Sequence, residues 1–177
     1  MSAQSNLLRS ATHWPKRRPA KGAIFSACRR YRYLLWRSVA AIGGGTMTWI
    51  MLNPSTAGAS ADDPTIRRCQ VFTRSWGFGR MLVVNLFAFR ATLPTDLREA
   101  EAPVGPDNDR LILQAVRGAE RVVCAWGVHG ELHGRGELVR ARLTTADVDL
   151  YHVGLTRFGH PRHPLYLPAS TLPVVWA

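Results

Sequence analysis

Acid is missing from the first third of the chain. No Asp or Glu precedes Asp62, whereas Arg9, Lys16, Arg17, Arg18, Lys21, Arg29, Arg30, Arg32 and Arg37 all fall within the first 37 positions. Those nine side chains hold most of the net charge of +11, and the rest of the chain carries 14 basic against 12 acidic residues. A nearly neutral body with a basic extension suits a polyanionic partner, nucleic acid before a membrane surface. Cysteine is also scarce. Cys28, Cys69 and Cys124 are odd in number and contain no CxxC pair, which argues against a disulfide framework and against a cysteine-built metal centre. A reducing cytoplasm fits this usage. No apolar run reaches the roughly 20 residues needed to span a bilayer, and the N-terminus has no signal-peptide core.

What is present reads as one α/β domain over residues 31–177, preceded by a basic arm over residues 1–30. The chain of 177 residues, 46% of them hydrophobic, is long enough to bury a core. Short apolar runs at Thr48–Leu52, Met81–Leu86, Arg121–Trp126 and Val148–Val153 read as buried strands. Helical spacing separates them: Ile66, Cys69, Phe72, Thr73 and Trp76 follow the Asp63-Pro64 start signal, a second helix runs from Asp107 to Arg117, and a third covers about 129–143. This alternation predicts a three-layer α/β sandwich around a mostly parallel sheet. Tyr31–Arg37 alternates as a strand, and Gly43-Gly44-Gly45 suggests that it pairs with 46–52 as an antiparallel N-terminal hairpin. Leu172–Trp176 reads as an edge strand.

In a parallel sheet the residues just past the strands open on one edge, where open α/β folds place ligands. Those residues are Asn53, Asn85, Gly127 to His129, and His160 to His163. Asn85 closes an otherwise apolar strand, and a buried amide needs partners. Amide side chains suit the donor and acceptor edge of a base, and Phe87 or Phe89 could stack on its ring. Lys16, Arg17, Arg18, Arg29 and Arg30 are the expected phosphate contacts. Other chemistries fit less well. His129 and His133 stand four apart, but HGELH is not HExxH, so no metal or other cofactor is expected. Ser55 lacks the glycines of a nucleophile elbow. The GFG, GVHG and GRG stretches are too short for a phosphate fingerprint.

The stretches IMLNPSTA, DDPTIRRC, WGFGRMLVVNLFAFRAT, GPDND, VVCAWGVHG and GHPRHPLYL resemble the domain-of-unknown-function 1643 family of bacterial and phage proteins, from about Tyr31 to Leu167. Their order is also similar, more distantly, to the uracil-DNA glycosylase superfamily. That likeness implies a glycosylase-like sandwich in which Asn53 orients a water and Asn85 binds the base edge. Phe87 or Phe89 would stack, and His163 would donate to the base oxygen. Position 53 lacks the activating Asp of some members, so Asp62 or Asp63 would have to supply the carboxylate. Leu165 stands where a Ser is expected, Met51-Leu52 replaces a glycine-led turn, and no cysteines match the iron–sulfur ligands of some branches. The expected function is that of a DNA- or nucleotide-directed protein with a base pocket, hydrolysing an N-glycosidic bond. The alternative is a catalytically inert module that binds nucleic acid or a modified base.

Overall fold

A computed structural model of the chain describes residues 19–40 and 44–177. Among them, seven strands form a single mixed sheet: β1 (Lys21–Phe25), β2 (Arg32–Ser38), β3 (Thr46–Met51), β4 (Arg80–Asn85), β5 (Arg121–Cys124), β6 (Leu150–His152) and β7 (Val174–Val175). Their spatial order is β1-β2-β4-β3-β5-β6-β7. The four central strands, β4-β3-β5-β6, are parallel, while β1, β2 and β7 run antiparallel to their neighbours. Four α-helices accompany them: α1 (Pro64–Ser75), α2 (Pro94–Glu99), α3 (Asn108–Arg117) and α4 (Arg135–Thr145).

The core divides along the two-residue period of the strands. One cluster takes Ile50, Leu82, Val84, Val122 and Cys124, and packs them against Ile112 and Val116 of α3 and Val139 and Leu143 of α4. The other takes Met47, Trp49, Met51, Met81, Val83 and Val123 against Ile66, Cys69 and Phe72 of α1. Helix α1 begins where the Asp63-Pro64 signal placed it, with the Asp63 carboxylate accepting from the Ile66 N–H at 2.8 Å. The crossover after β3 therefore leaves towards one face and the crossover after β5 towards the other. Diverging connections of this kind open a crevice at the carboxyl ends of the strands.

Several expectations are corrected. The strand at Tyr31–Arg37 does not pair with 46–52. β2 lies between β1 and β4, for example Leu34 opposite Ile24 and Leu35 opposite Val83, because β3 already has parallel partners on both sides. The hairpin is instead β1–β2, so the basic arm does not extend to residue 30: Lys21–Phe25 is a strand of the sheet. Residues 129–143 are not one helix. A 3₁₀ segment, Val128–Gly134, breaks at His133 (φ 54°) before α4 begins, so His129 and His133 do not share a continuous helical face. Gly130 in this stretch serves packing. A Cβ at Gly130 would meet the Trp126 ring at 2.1 Å, closer than atoms can approach. The loop expected at Phe87–Leu97 also contains the start of the short α2. No helix of the described residues is long and apolar enough to cross a membrane.

Candidate active site

The carboxyl ends of β3, β4 and β5 surround a cavity of about 400 Å³. Asn53 from the loop after β3, Asp63 at the start of α1, Asn85 at the end of β4, Gly127 after β5, and His163 from the late loop all line it. Arg32, from the start of β2, completes the wall. Local chain geometry holds these loops together. The β3–β4 ladder continues past the strands, with the Leu86 and Phe87 N–H groups donating to the carbonyls of Met51 and Leu52. Gly127, at φ 72°, donates its N–H to the Pro161 carbonyl at 2.8 Å and so ties the loop after β5 to the histidine loop.

The hydrogen bonds divide each polar side chain into a used and an open half. Asn53 Nδ2 donates to the carbonyls of Ala91 (2.8 Å) and Pro54 (3.1 Å), so its amide nitrogen closes the loop while Oδ1 receives nothing from a described residue. Asn85 is 1% exposed. Its Oδ1 accepts from Arg32 Nη2 at 3.5 Å, and its Nδ2 donates to no described residue. The Asn85 and Leu86 carbonyls each accept from Asn108 Nδ2 at 2.9 Å, and Leu86 also accepts from Arg135 Nε at 3.0 Å. Asn85 is thus clamped through its backbone, and its side chain lines the cavity with Nδ2 free of any partner among the described residues. His163 Nδ1 accepts from the Leu165 N–H at 3.3 Å. Burial pushes the His163 pKa below the usual histidine value, against an opposing pull from Asp63. The neutral ring therefore carries its proton on Nε2, as a donor.

The two aspartates part company. Asp62 is spent: Oδ1 accepts from Arg37 Nε at 2.7 Å, Oδ2 accepts from Gln70 Nε2 at 2.8 Å, and it does not line the cavity. Asp63 gives Oδ1 to the helix cap and has Oδ2 left over. The aromatic expectations change as well. Phe87 is fully buried in the core and has no face for a base. Phe89 is half-buried and lines a neighbouring cleft of about 320 Å³ with Arg29, Arg30 and Arg90. That cleft shares Ser55, Ala91 and Thr92 with the first cavity. Lys16, Arg17 and Arg18 lie outside the described residues. His160 Nε2 sits 2.6 Å from Glu131 Oε1, away from the cavity wall.

Sequence reasoning missed Arg32 as a site residue. It is 2% exposed, its Nη1 donates to the Ala57 carbonyl at 2.8 Å, and its Nε has no partner among the described residues. Burial pushes its pKa down to about 10, partly offset by the Asp63 charge. The adjacent apolar pair Leu34-Leu35 could have signalled it. A strand buried on both faces has no wet side on which to place an arginine.

Comparison with known proteins places the chain in a family. The model of a protein family of unknown function, DUF1643, matches residues 32–165. The chain belongs to that family. Its match begins at Arg32 and ends just past His163, and so contains every cavity-lining residue named above. No curated protein and no solved structure matches the chain.

Proposed function

We propose that this DUF1643 protein carries a nucleobase pocket on a three-layer, uracil-DNA-glycosylase-like scaffold, and that it hydrolyses the N-glycosidic bond of a base presented on a nucleic acid. One observation carries the reading. The cavity side chains keep complementary halves open, with Asn85 Nδ2 and His163 Nε2 as donors, and Asn53 Oδ1 and Asp63 Oδ2 as acceptors. Donors suit the carbonyl edge of a base. Acceptors suit a water held against the sugar.

In this mechanism a base leaves the stack, at a cost of a few kcal/mol, and enters the pocket. Asn85 and His163 bind its edge. The bond between the sugar C1′ and the base nitrogen breaks, and its electron pair leaves with the base, whose growing negative charge the two donors stabilise. A water held by Asn53 Oδ1 adds to C1′ and passes its proton to Asp63. Phosphates on either side of the extruded nucleotide fall to Arg29, Arg30 and Arg90, which line the adjoining cleft. Phe89, which lines that cleft, would stack on a neighbouring base rather than on the extruded one.

The test is a set of oligonucleotides bearing uracil, hypoxanthine or alkylated bases, incubated with the protein and then treated with hot alkali, which cleaves at abasic sites. Strand breaks at one modified base, lost in Asp63→Asn, are the expected result. A second reading has its own support: Asp62 is committed to Arg37 and Asp63 to its helix cap, so one carboxylate oxygen is all that remains for chemistry. Selective binding of a modified strand with every glycosidic bond intact would make the protein a recognition module instead.

A further inference from the structure

Arg32 has no structural task large enough to explain it. A guanidinium carries five N–H donors and no acceptor. Arg32 spends two of its nitrogens on one carbonyl and one long contact, leaves Nε unpartnered, and forms no ion pair with a described carboxylate. A buried arginine with so little compensation is costly unless something else is served.

What it serves is the orientation of Asn85. Arg32 can only donate, so the group Asn85 turns towards it must be Oδ1. That leaves Nδ2 facing the cavity. His163 is restricted in the same sense, because its Nδ1 is occupied by the Leu165 N–H and Nε2 is what remains. The reading wall, built of Arg32, Asn85 and His163, therefore offers donors alone.

Resting on the base-pocket reading above, we infer that Arg32 is a specificity-determining positioning residue, and that the pocket selects an edge made of two acceptors. The O6 and N7 edge of a 6-oxopurine has this pattern, since both atoms accept. Adenine places an amino donor beside N7 and is mismatched on one side. Uracil places its N3–H beside a carbonyl, and that N–H would need the Asn85 oxygen that Arg32 already holds. The cation behind Asn85 adds a field that favours an electron-rich edge.

The experiment uses four otherwise identical single strands whose probe nucleotide carries hypoxanthine, 7-deazahypoxanthine, uracil or adenine. A 2′-fluorine on that nucleotide keeps the glycosidic bond intact during titration. Fluorescence anisotropy with the full chain should show hypoxanthine bound about tenfold more tightly than each of the other three. Asn85→Asp puts an acceptor where the donor stood and gives Arg32 a carboxylate. Its melting temperature should be no lower than wild type, and the preference for hypoxanthine should vanish. Arg32→Met frees the Asn85 amide to turn, so uracil should draw level with hypoxanthine. Wild-type protein that binds uracil or the 7-deaza analogue as tightly as hypoxanthine overturns the two-acceptor edge but leaves the base pocket standing. Binding of all four strands no tighter than an abasic control overturns the base pocket, and this inference with it.

Discussion

β2 carries a buried arginine near each of its ends, and the protein equips the two differently. Arg37 is enclosed by Asp62, with which it forms an ion pair, and by the carbonyls of Gly22, Trp36, Gly58 and Ala61. Every nitrogen of its guanidinium has a partner. Arg32 is as deeply buried but has one carbonyl, one long contact with Asn85, and an idle Nε. The Arg37 end welds β2 to the loop before α1. The Arg32 end backs a cavity. Two side chains of one type on one strand show the distinction between a charge placed to hold the fold and a charge left partly unspent beside a cavity.

The largest effect expected from this contrast falls at Asp62. Asp62→Ala leaves Arg37 charged and buried without its carboxylate, and should cost about 3 kcal/mol or more. Urea unfolding checks this, as a drop in the transition midpoint with an unchanged slope. Asp63→Ala should cost about 1 kcal/mol, the value of a helix cap. Equal losses for the two would erase the contrast.

The two buried asparagines sharpen it. Asn108→Ala removes the side-chain donor to the buried Asn85 carbonyl and leaves the Leu86 carbonyl with Arg135 Nε alone, and should cost about 2 kcal/mol. Asn85→Ala gives up only the long contact to Arg32, so its stability loss should be the smaller of the two. Its defect should appear in affinity for the cognate strand, at about 1–3 kcal/mol. Paired melting curves and titrations on both variants decide this, and the reverse order would make Asn85 a structural residue.

A smaller effect comes with pH. Burial lowers the His163 pKa in the folded state, so below about pH 6.5 the unfolded chain binds a proton more readily than the folded one. The stability that His163 contributes is complete above that pH, and is lost as pH falls towards the folded value. His163→Gln should flatten this part of the acid limb between pH 7 and 5, read from urea midpoints at each pH. A wild-type midpoint that rose on acidification would contradict the neutral donor assigned to His163.

The smallest effect lies in the open cleft. Arg29, Arg30 and Arg90 are exposed, and changing any one to Ala should leave the melting temperature nearly unchanged. Where the arginine neutralises a phosphate, its removal should reduce the slope of log affinity against log salt by roughly 0.7 on single strands. An unchanged slope in all three variants would make the cleft a solvated surface.

Much of the fold is written in local pattern. The apolar runs that became β3, β4, β5 and β6 are contiguous and bounded, and the Asp63-Pro64 start of α1 needs only neighbours in sequence. The convergence of Asn53, Asn85, Gly127 and His163 followed from the alternation of strand and helix, since parallel strands end on one edge. The partner of β2 was not written there. Gly44 and Gly45 made a local hairpin attractive, but β3 sits in the middle of the parallel set and had no free edge to offer.

The composition and periodicity of the chain by themselves determined an α/β domain with a polar strand-end rim and a basic N-terminal region. Tertiary structure decided which polar groups are spent. Asp62 and Asp63 are adjacent and chemically identical, yet one meets Arg37 and the other the cavity, because a helix start turns successive side chains in different directions. Phe87 and Phe89 were equal candidates until the core enclosed the first. Arg32 and Arg37 carry the same guanidinium, and only the fold supplies a carboxylate to one of them. Hydrogen-bond satisfaction belongs to groups distant in sequence, so no local pattern records which donor is left open.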